Sequence, residues 1–457
     1  MIKRKRNTSP EETCRNVTRV LGSLSQLEDL VLYNANFGPN GCSVLGAPLE
    51  ILEELVLSRV NFGPNGCSAL GAPLQTGVCK LKKLRIRNSN IGDDGVAAFA
   101  NGLAGIGSSL KELDLSDNAI GNDGLSALVA ALATCTSLET LNLSDNDFSL
   151  AGMRSLSDWL QSAQMTLKHM RLEACGINDE GLQALAEGAS NHCETLHVGA
   201  NETITASGLR CLSTSLQSES CRVETLDLRW MPIGDDGAEV LAHGLVGNKS
   251  LRSLHLEYNE EDAITPAGWS FFSTALCDTS SVNNTYLSNH TLRDLQDTSE
   301  LEAWDQFRPD DIDLYLQLNK EHPQHAAKCK ILMNHPYLDM MPFFQWKLKF
   351  LPLALAWFER ARPCATLSIY DSNPQLSRRI LEESDEAFQS RVLTAVYQFV
   401  RGMPMEVMKR REEILVAVYD DKIASLREEL ERRERKMKQL QDVLSGIVEA
   451  VRYCVGV

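Results

Sequence analysis

The 457-residue chain is short of positive charge: 45 Lys and Arg face 61 Asp and Glu, leaving a formal net charge of −16. A surface of that sign repels a phosphate backbone and gains nothing from counterion release, so nucleic acid is not an expected partner. Paired cysteines are missing too. The 13 cysteines are odd in number and scattered, with no CxxC and no Cys/His grouping at zinc spacing. Neither a disulfide framework nor a metal is expected, and free thiols fit a reducing compartment, the cytoplasm. Nor is there an apolar run of the ~20 residues that a membrane span requires. The best stretch, Phe343 to Arg362, carries Lys347, Lys349, Glu359 and Arg360, with Pro352 near its middle. Its Phe344, Leu348, Leu351, Leu355 and Phe358 fall at helical spacing, the stripe of a core helix or of a partner-binding face. The basic start, Met1 to Arg6, leads into polar sequence rather than an apolar h-region, so no secretory signal is expected, while Lys3 to Arg6 leaves nuclear import open. There is no GxSxG elbow, Walker A sequence, HExxH or GxGxxG ahead of a helix. The expectation is a chain without an active site, cofactor or small-molecule substrate.

What the chain has in abundance is repetition. Leu110-Lys-Glu-Leu113-Asp-Leu115-Ser-Asp-Asn118-Ala-Ile120 followed by Gly124 and Leu128 is answered by Leu138, Leu141, Leu143, Asn146, Phe148, Gly152 and Leu156. The template LxxLxLxxNxLxxxGxxxL recurs from Leu27, Leu52, Leu81, Leu110, Leu138, Leu167, Cys193, Val223 and Leu251, at intervals of 25 to 30 residues, with a degraded tenth copy placed at Val282. Within each unit the period changes. The LxL segment alternates as a half-buried strand does, and the residues from the glycine onward (Gly124, Leu125, Leu128, Leu132) step by three and four, as on a helix. One strand and one helix cannot offset ~1–2 kcal/mol of backbone entropy per residue with five buried side chains at about 1.5–3 kcal/mol each. Such units survive by stacking into a solenoid with one continuous core.

The template glycine opens each helix, where a packing role is expected. Gly92-Asp93-Asp94-Gly95 and Gly234-Asp235-Asp236-Gly237 resemble metal or phosphate loops out of context, but in register they read as acids capping a helix N-terminus.

These residues resemble the ribonuclease-inhibitor-like leucine-rich repeats, over roughly Leu27 to Phe272 and nine units. The resemblance implies a horseshoe with parallel strands on the concave face and helices on the convex one. Such repeats also occur in Ran GTPase-activating proteins and in nucleotide-binding immune receptors. Asn118, Asn146, Asn201 and Asn259 match the family's amide position and Cys175 its alternative, while Ala35, Val60, Ser89 and Met231 depart from it. Units one, two and eight should then need other partners for the backbone of their turns. Insertions at Asn201 to Ile204 and Asn259 to Ile264 are expected as loops and contact points.

Alternation along each strand places Lys83, Arg85, Arg87, Glu112, Asp114, Arg171, Arg229 and Glu257 on the concave lining, with Trp230 and Tyr258 just beyond. These ten are the candidate partner-binding residues. The basic rung of unit three beside the acids of unit four either reads a charged partner or neutralises itself. His169, His197 and His255 also face the concave side, but zinc is rejected on the ground that the intervening units supply no ligand.

The organisation expected is a basic segment and capping helix (1–26), the α/β solenoid (27–295), an acidic connector (296–313), a helical capping region (314–404) and a coiled-coil helix (405–457). The last rests on Val416, Tyr419, Ile423, Leu426 and Leu430, continuing to Cys454 at a/d spacing with Arg433 as the one break. The function expected is a non-enzymatic scaffold that binds a protein on its concave face and self-associates through 405–457. The alternatives are a GTPase-activating regulator and a truncated immune-type sensor.

Overall fold

A computed structural model describes residues 28–37, 49, 51–62, 65–76, 79–163, 167–256, 263–297 and 309–335. The basic N-terminal segment, the apolar stripe of 343–362, most of the capping region and the coiled-coil helix lie outside them, as do Glu257 and Tyr258. Ten strands form one sheet in sequence order: β1 (Asp29–Tyr33), β2 (Glu54–Ser58), β3 (Lys83–Arg87), β4 (Glu112–Asp114), β5 (Thr140–Asn142), β6 (Leu167–Arg171), β7 (Cys193–His197), β8 (Thr225–Asp227), β9 (Ser253–Leu256) and β10 (Asp294–Asp297). Every pairing is parallel. The helices that alternate with them are α1 (Gly66–Leu74), α2 (Gly92–Ile106), α3 (Asn122–Leu132), α4 (Leu150–Ser162), α5 (Asp179–His192), α6 (Ala206–Leu216), α7 (Gly234–Leu245) and α8 (Pro266–Leu276). After them come α9 (Val282–Leu287), α10 (Asp310–Glu321) and α11 (Ala326–Asn334).

The register explains why the units stack. Leu30, Leu55, Leu84, Leu113, Leu141, Met170, Leu196, Leu226, Leu254 and Leu295 are partners across successive strands, forming one buried rail that runs the length of the sheet. The second leucine of each LxL forms a parallel rail, and both pack against the buried face of the helices in a single apolar core. A one-residue slip in any strand would turn both rails to solvent. The tenth unit is displaced from its expected start. Its strand follows Leu292, with Leu295 on the rail, whereas Val282 opens α9.

The turns after the strands carry the amide ladder. Asn146 Oδ1 accepts from the backbone N–H of Asn118 and Ile120, and its Nδ2 donates to Leu115 and Leu143 carbonyls at 3.1 and 2.7 Å. Asn201 does the same for Cys175 and Ile177, and Cys175 Sγ donates to Leu143 O at 3.2 Å. Each such side chain therefore satisfies the turn of the preceding unit as well as its own. The departures find substitutes: Ser89 Oγ accepts from Val60 N at 3.1 Å, and Ala35 O accepts from Asn61 N at 2.9 Å. The insertion at Asn201 to Ile204 is tied down rather than projecting, since Ile204 is buried and Thr203 donates to Ile177 O.

The acids of the glycine-flanked doublets cap a different helix from the one expected. Asp93 lies in the first turn of α2, yet its Oδ1 accepts from Gly121 N of the next unit at 2.6 Å. Asn122 reaches Ser149 and Gly152, Asp179 reaches Thr205, and Asp235 reaches Thr265 in the same way. This close approach is what demands glycine. A β-carbon on Gly124 would sit 2.5 Å from Asp93 Oδ1, and one on Gly268 2.3 Å from Asp235 Oδ1.

At the far end, α10 and α11 cover the last strand-and-helix unit with Ile312, Leu318, Cys329 and Ile331. The helix α10 begins inside the acidic stretch, where Asp310, Asp311 and Asp313 fill its first turn and complement the helix dipole. Asn319 donates to Leu292 O at 2.7 Å, and the buried Lys330 Nζ donates to Leu276 O and Asn289 O at 2.7 and 2.9 Å. Among the described residues no helix is long and apolar enough to cross a membrane.

Candidate protein-binding face

The outward residues of the strands line up in rows across the sheet because the register is unbroken. One row reads Val31, Val56, Arg85, Asp114, Asn142, Arg171, His197, Asp227 and His255. Its members change character from apolar, through a charged block, to a mixed His, Asp and Arg block.

The charged block is self-paired. Arg85 lies between Glu54 at 2.6 Å and Glu112 at 2.5 Å, Arg87 pairs with Asp114 at 2.5 Å, and Lys83 reaches Glu54 at 3.6 Å. Asp114 faces the concave side as its alternation requires, but only 2% of it is exposed. Ser116 donates to it as well, at 2.7 Å from the hydroxyl. A partner contacting Lys83, Arg85, Arg87, Glu112 or Asp114 would meet a network already largely neutralised, with Lys83 and Arg87 its more open edges.

In the second block, His197 Nδ1 stands 3.0 Å from Asp227 Oδ2 and 3.3 Å from Glu173 Oε1. Here units six and eight do supply ligand-type atoms beside a histidine, which removes the ground on which the sequence reading set zinc aside. Glu173, His197 and Asp227 present three such atoms within 4.8 Å of one another. Asp227, however, already gives both oxygens to Arg229, with contacts from 2.6 to 3.0 Å. A divalent cation would have to displace that guanidinium, so the cluster suits a proton better. Burial disfavours the imidazolium, but the hydrogen bonds to Asp227 and Glu173 outweigh it and raise the His197 pKa. The bond from His197 holds the Glu173 carboxyl below its usual range. Asp227 is lowered far more: its burial pulls the other way and is overcome by His197 and Arg229. His169 and His255 lie on the same face and are lowered, chiefly by burial. The signal that would have found this cluster is the row read across units rather than the strand read along its length.

Two candidate residues remain open to a partner. Arg171 is exposed at the end of β6; its backbone carbonyl accepts from Leu143 N at 2.9 Å, and its side chain makes no hydrogen bond or ion pair among the described residues. Trp230 is 50% exposed in the turn after β8 and has a φ of 60°, a left-handed conformation costly for a bulky side chain. Arg229, beside it, is half-exposed at its side chain while bound to Asp227.

Five stretches, 79–100, 108–129, 134–157, 163–186 and 220–242, match the Leucine Rich repeat family. The Mus musculus NACHT, LRR and PYD domains-containing protein 14 is 30% identical over 131 residues, covering 28% of this chain and 13% of that protein. The Homo sapiens NACHT, LRR and PYD domains-containing protein 5 is 32% identical over 129 residues, 28% of this chain and 11% of that one. Protein CARMIL of Dictyostelium discoideum is 28% identical over 142 residues, 30% of this chain and 13% of that one. A solved structure described as the Rad7 and Elc1 complex in yeast aligns at 14% identity and a TM-score of 0.34, over 56% of this chain and 70% of that one. The solenoid is thus built of leucine-rich repeats, and they are similar to those of the NACHT, LRR and PYD domains-containing proteins. The chain spans only 11% to 13% of the length of these curated relatives. Repeats of this class imply binding to other proteins.

Proposed function

We propose that the chain is a non-enzymatic scaffold that grips a protein partner on its concave sheet and works in the cytoplasm, away from membranes and nucleic acid. The observation that carries this reading is the open sheet itself, on which Arg171 and Trp230 stay exposed while neighbouring charges are spent on one another. An exposed tryptophan and an exposed arginine on one face are the composition of a binding hot spot. Arg229, Lys83 and Arg87 lie on the same face, with Arg85, Glu112 and Asp114 as the paired frame; the candidates Glu257 and Tyr258 follow β9 in sequence, outside the described residues. Self-association through 405–457 would present two such faces in one assembly.

The test is affinity purification with the intact chain and with its Arg171→Glu/Trp230→Ala variant. Loss of at least tenfold of the captured partner, with an unchanged melting temperature, supports the reading; undiminished capture refutes it. A purified partner that proves to be a small GTPase, with hydrolysis accelerated by the intact chain, would instead establish the regulator alternative.

A further inference from the structure

On the convex side, near the end of the repeats, α7, α8 and α9 frame a groove of about 570 Å³. Among the described residues six large apolar side chains are exposed, and three of them, Val246, Phe271 and Leu287, line this one groove, at 40, 36 and 52% exposure. Phe271 is out of keeping with the repeat. Three residues after the template glycine, units two to eight place Ala69, Ala98, Ala127, Ser155, Ala184, Cys211 and Val240, whereas the ninth places a phenylalanine. The buried face of α8 is made by Trp269, Phe272, Ala275 and Leu276, so Phe271 is additional apolar surface turned away from the core. A patch of this kind calls for a cover.

The chain leaves the described residues beside that patch. His335, at the end of α11, is hydrogen-bonded through Nε2 to Thr285 Oγ1 at 2.8 Å. Thr285 and Leu287 share α9. Nine residues further on begins the stripe Phe344, Leu348, Leu351, Leu355 and Phe358, and nine residues of chain span up to ~30 Å. The bases that accompany the stripe, Lys347 and Lys349, match Glu239 and Asp278 on the groove wall.

We propose that the groove between α7, α8 and α9 is the seat of this chain's own segment 343–358, docked through its apolar stripe. The exposed apolar side chains of the groove and the apolar stripe in the sequence that follows the solenoid then bury each other within a single chain. The short connection keeps the effective concentration of the segment high, which favours it over a second copy or a foreign helix.

The test uses the full chain with p-benzoylphenylalanine in place of Leu287, an exposed side chain whose replacement leaves the core intact. Illumination should join position 287 to a peptide within 343–358 of the same chain, with a yield independent of protein concentration and no mixed products between isotope-labelled and unlabelled copies. Labelled–unlabelled adducts would overturn the proposal in favour of a dimer. Products elsewhere in the chain, or none, would overturn it outright. As a second readout, Phe271→Asp should speed limited proteolysis within 343–358 at least tenfold while α5 and α6 keep their amide protection. An unchanged cleavage rate in a folded Phe271→Asp protein would count equally against it.

Discussion

At Gly208 a β-carbon would come within 2.5 Å of Asp179 Oδ1, because that carboxylate is held against the next unit by the Thr205 N–H. Gly208→Ala should therefore cost ~1–3 kcal/mol through forced displacement, measurable as a lowered urea midpoint. His197 supplies a prediction of a different kind. Its pKa is raised in the folded chain, so its contribution is full below the unfolded value of 6.5 and is lost as pH rises through the folded one. The stability gap between wild type and His197→Asn, on the order of 1–2 kcal/mol, should be widest near pH 6 and shrink by pH 8. A gap that widened over that interval would contradict the assignment of a proton to this cluster. Neither feature is visible in a single unit of sequence. The glycine repeats plainly, but its reason is a carboxylate one unit away; His197 meets Asp227 only once the strands are in register.

The leucine alternation of each LxL and the switch to helical spacing after it make the strands and convex helices legible from residues alone, since one buried rail and one buried helix face dictate the pattern. The end of the solenoid was harder to place. Nothing in Ala326–Asn334 announces that Lys330 is interior, where it caps the carbonyl end of α8. Burial pushes that amine down from 10.5 to about 7. Between those values the unfolded chain holds more protons on Lys330 than the folded one, so stability gains with rising pH, by at most ~1.4 kcal/mol per unit. Relative to Lys330→Met, the wild type should thus become more stable from pH 7 to pH 9 in urea titrations. Comparing the two proteins isolates Lys330 from the buried thiols, such as Cys193, pushed up to about 12. Parallel pH profiles would show that the ammonium stays charged on its carbonyl partners.

Across the whole molecule each unit leans on its two neighbours, so where a defect is placed should matter as much as its size. Leu30 and Leu196 sit on the same rail, one on the edge strand and one well inside. Either Leu→Ala change removes comparable side-chain volume, worth ~2–5 kcal/mol when well buried. Hydrogen exchange should separate them: Leu30→Ala loosens β1 and leaves β6 to β8 protected, whereas Leu196→Ala lowers protection on both sides of β7. Equal, global loss in both variants would mean that the array unfolds as one block. The side-chain bridges between helix starts add a grain to this array. They join units three to four, four to five, six to seven and eight to nine. At the five–six and seven–eight joints the corresponding places hold Leu150 and Ala206, which have no acceptor to offer. The seven–eight joint is tied further along its helices instead, where Ser213 Oγ donates to Val240 O and Gln217 Nε2 to His243 O, each at 2.8 Å. Stretched or flexed, the outer rim between units three and nine would part first along the five–six seam, so the horseshoe's curvature can change there without breaking a single rung of its inner ladder.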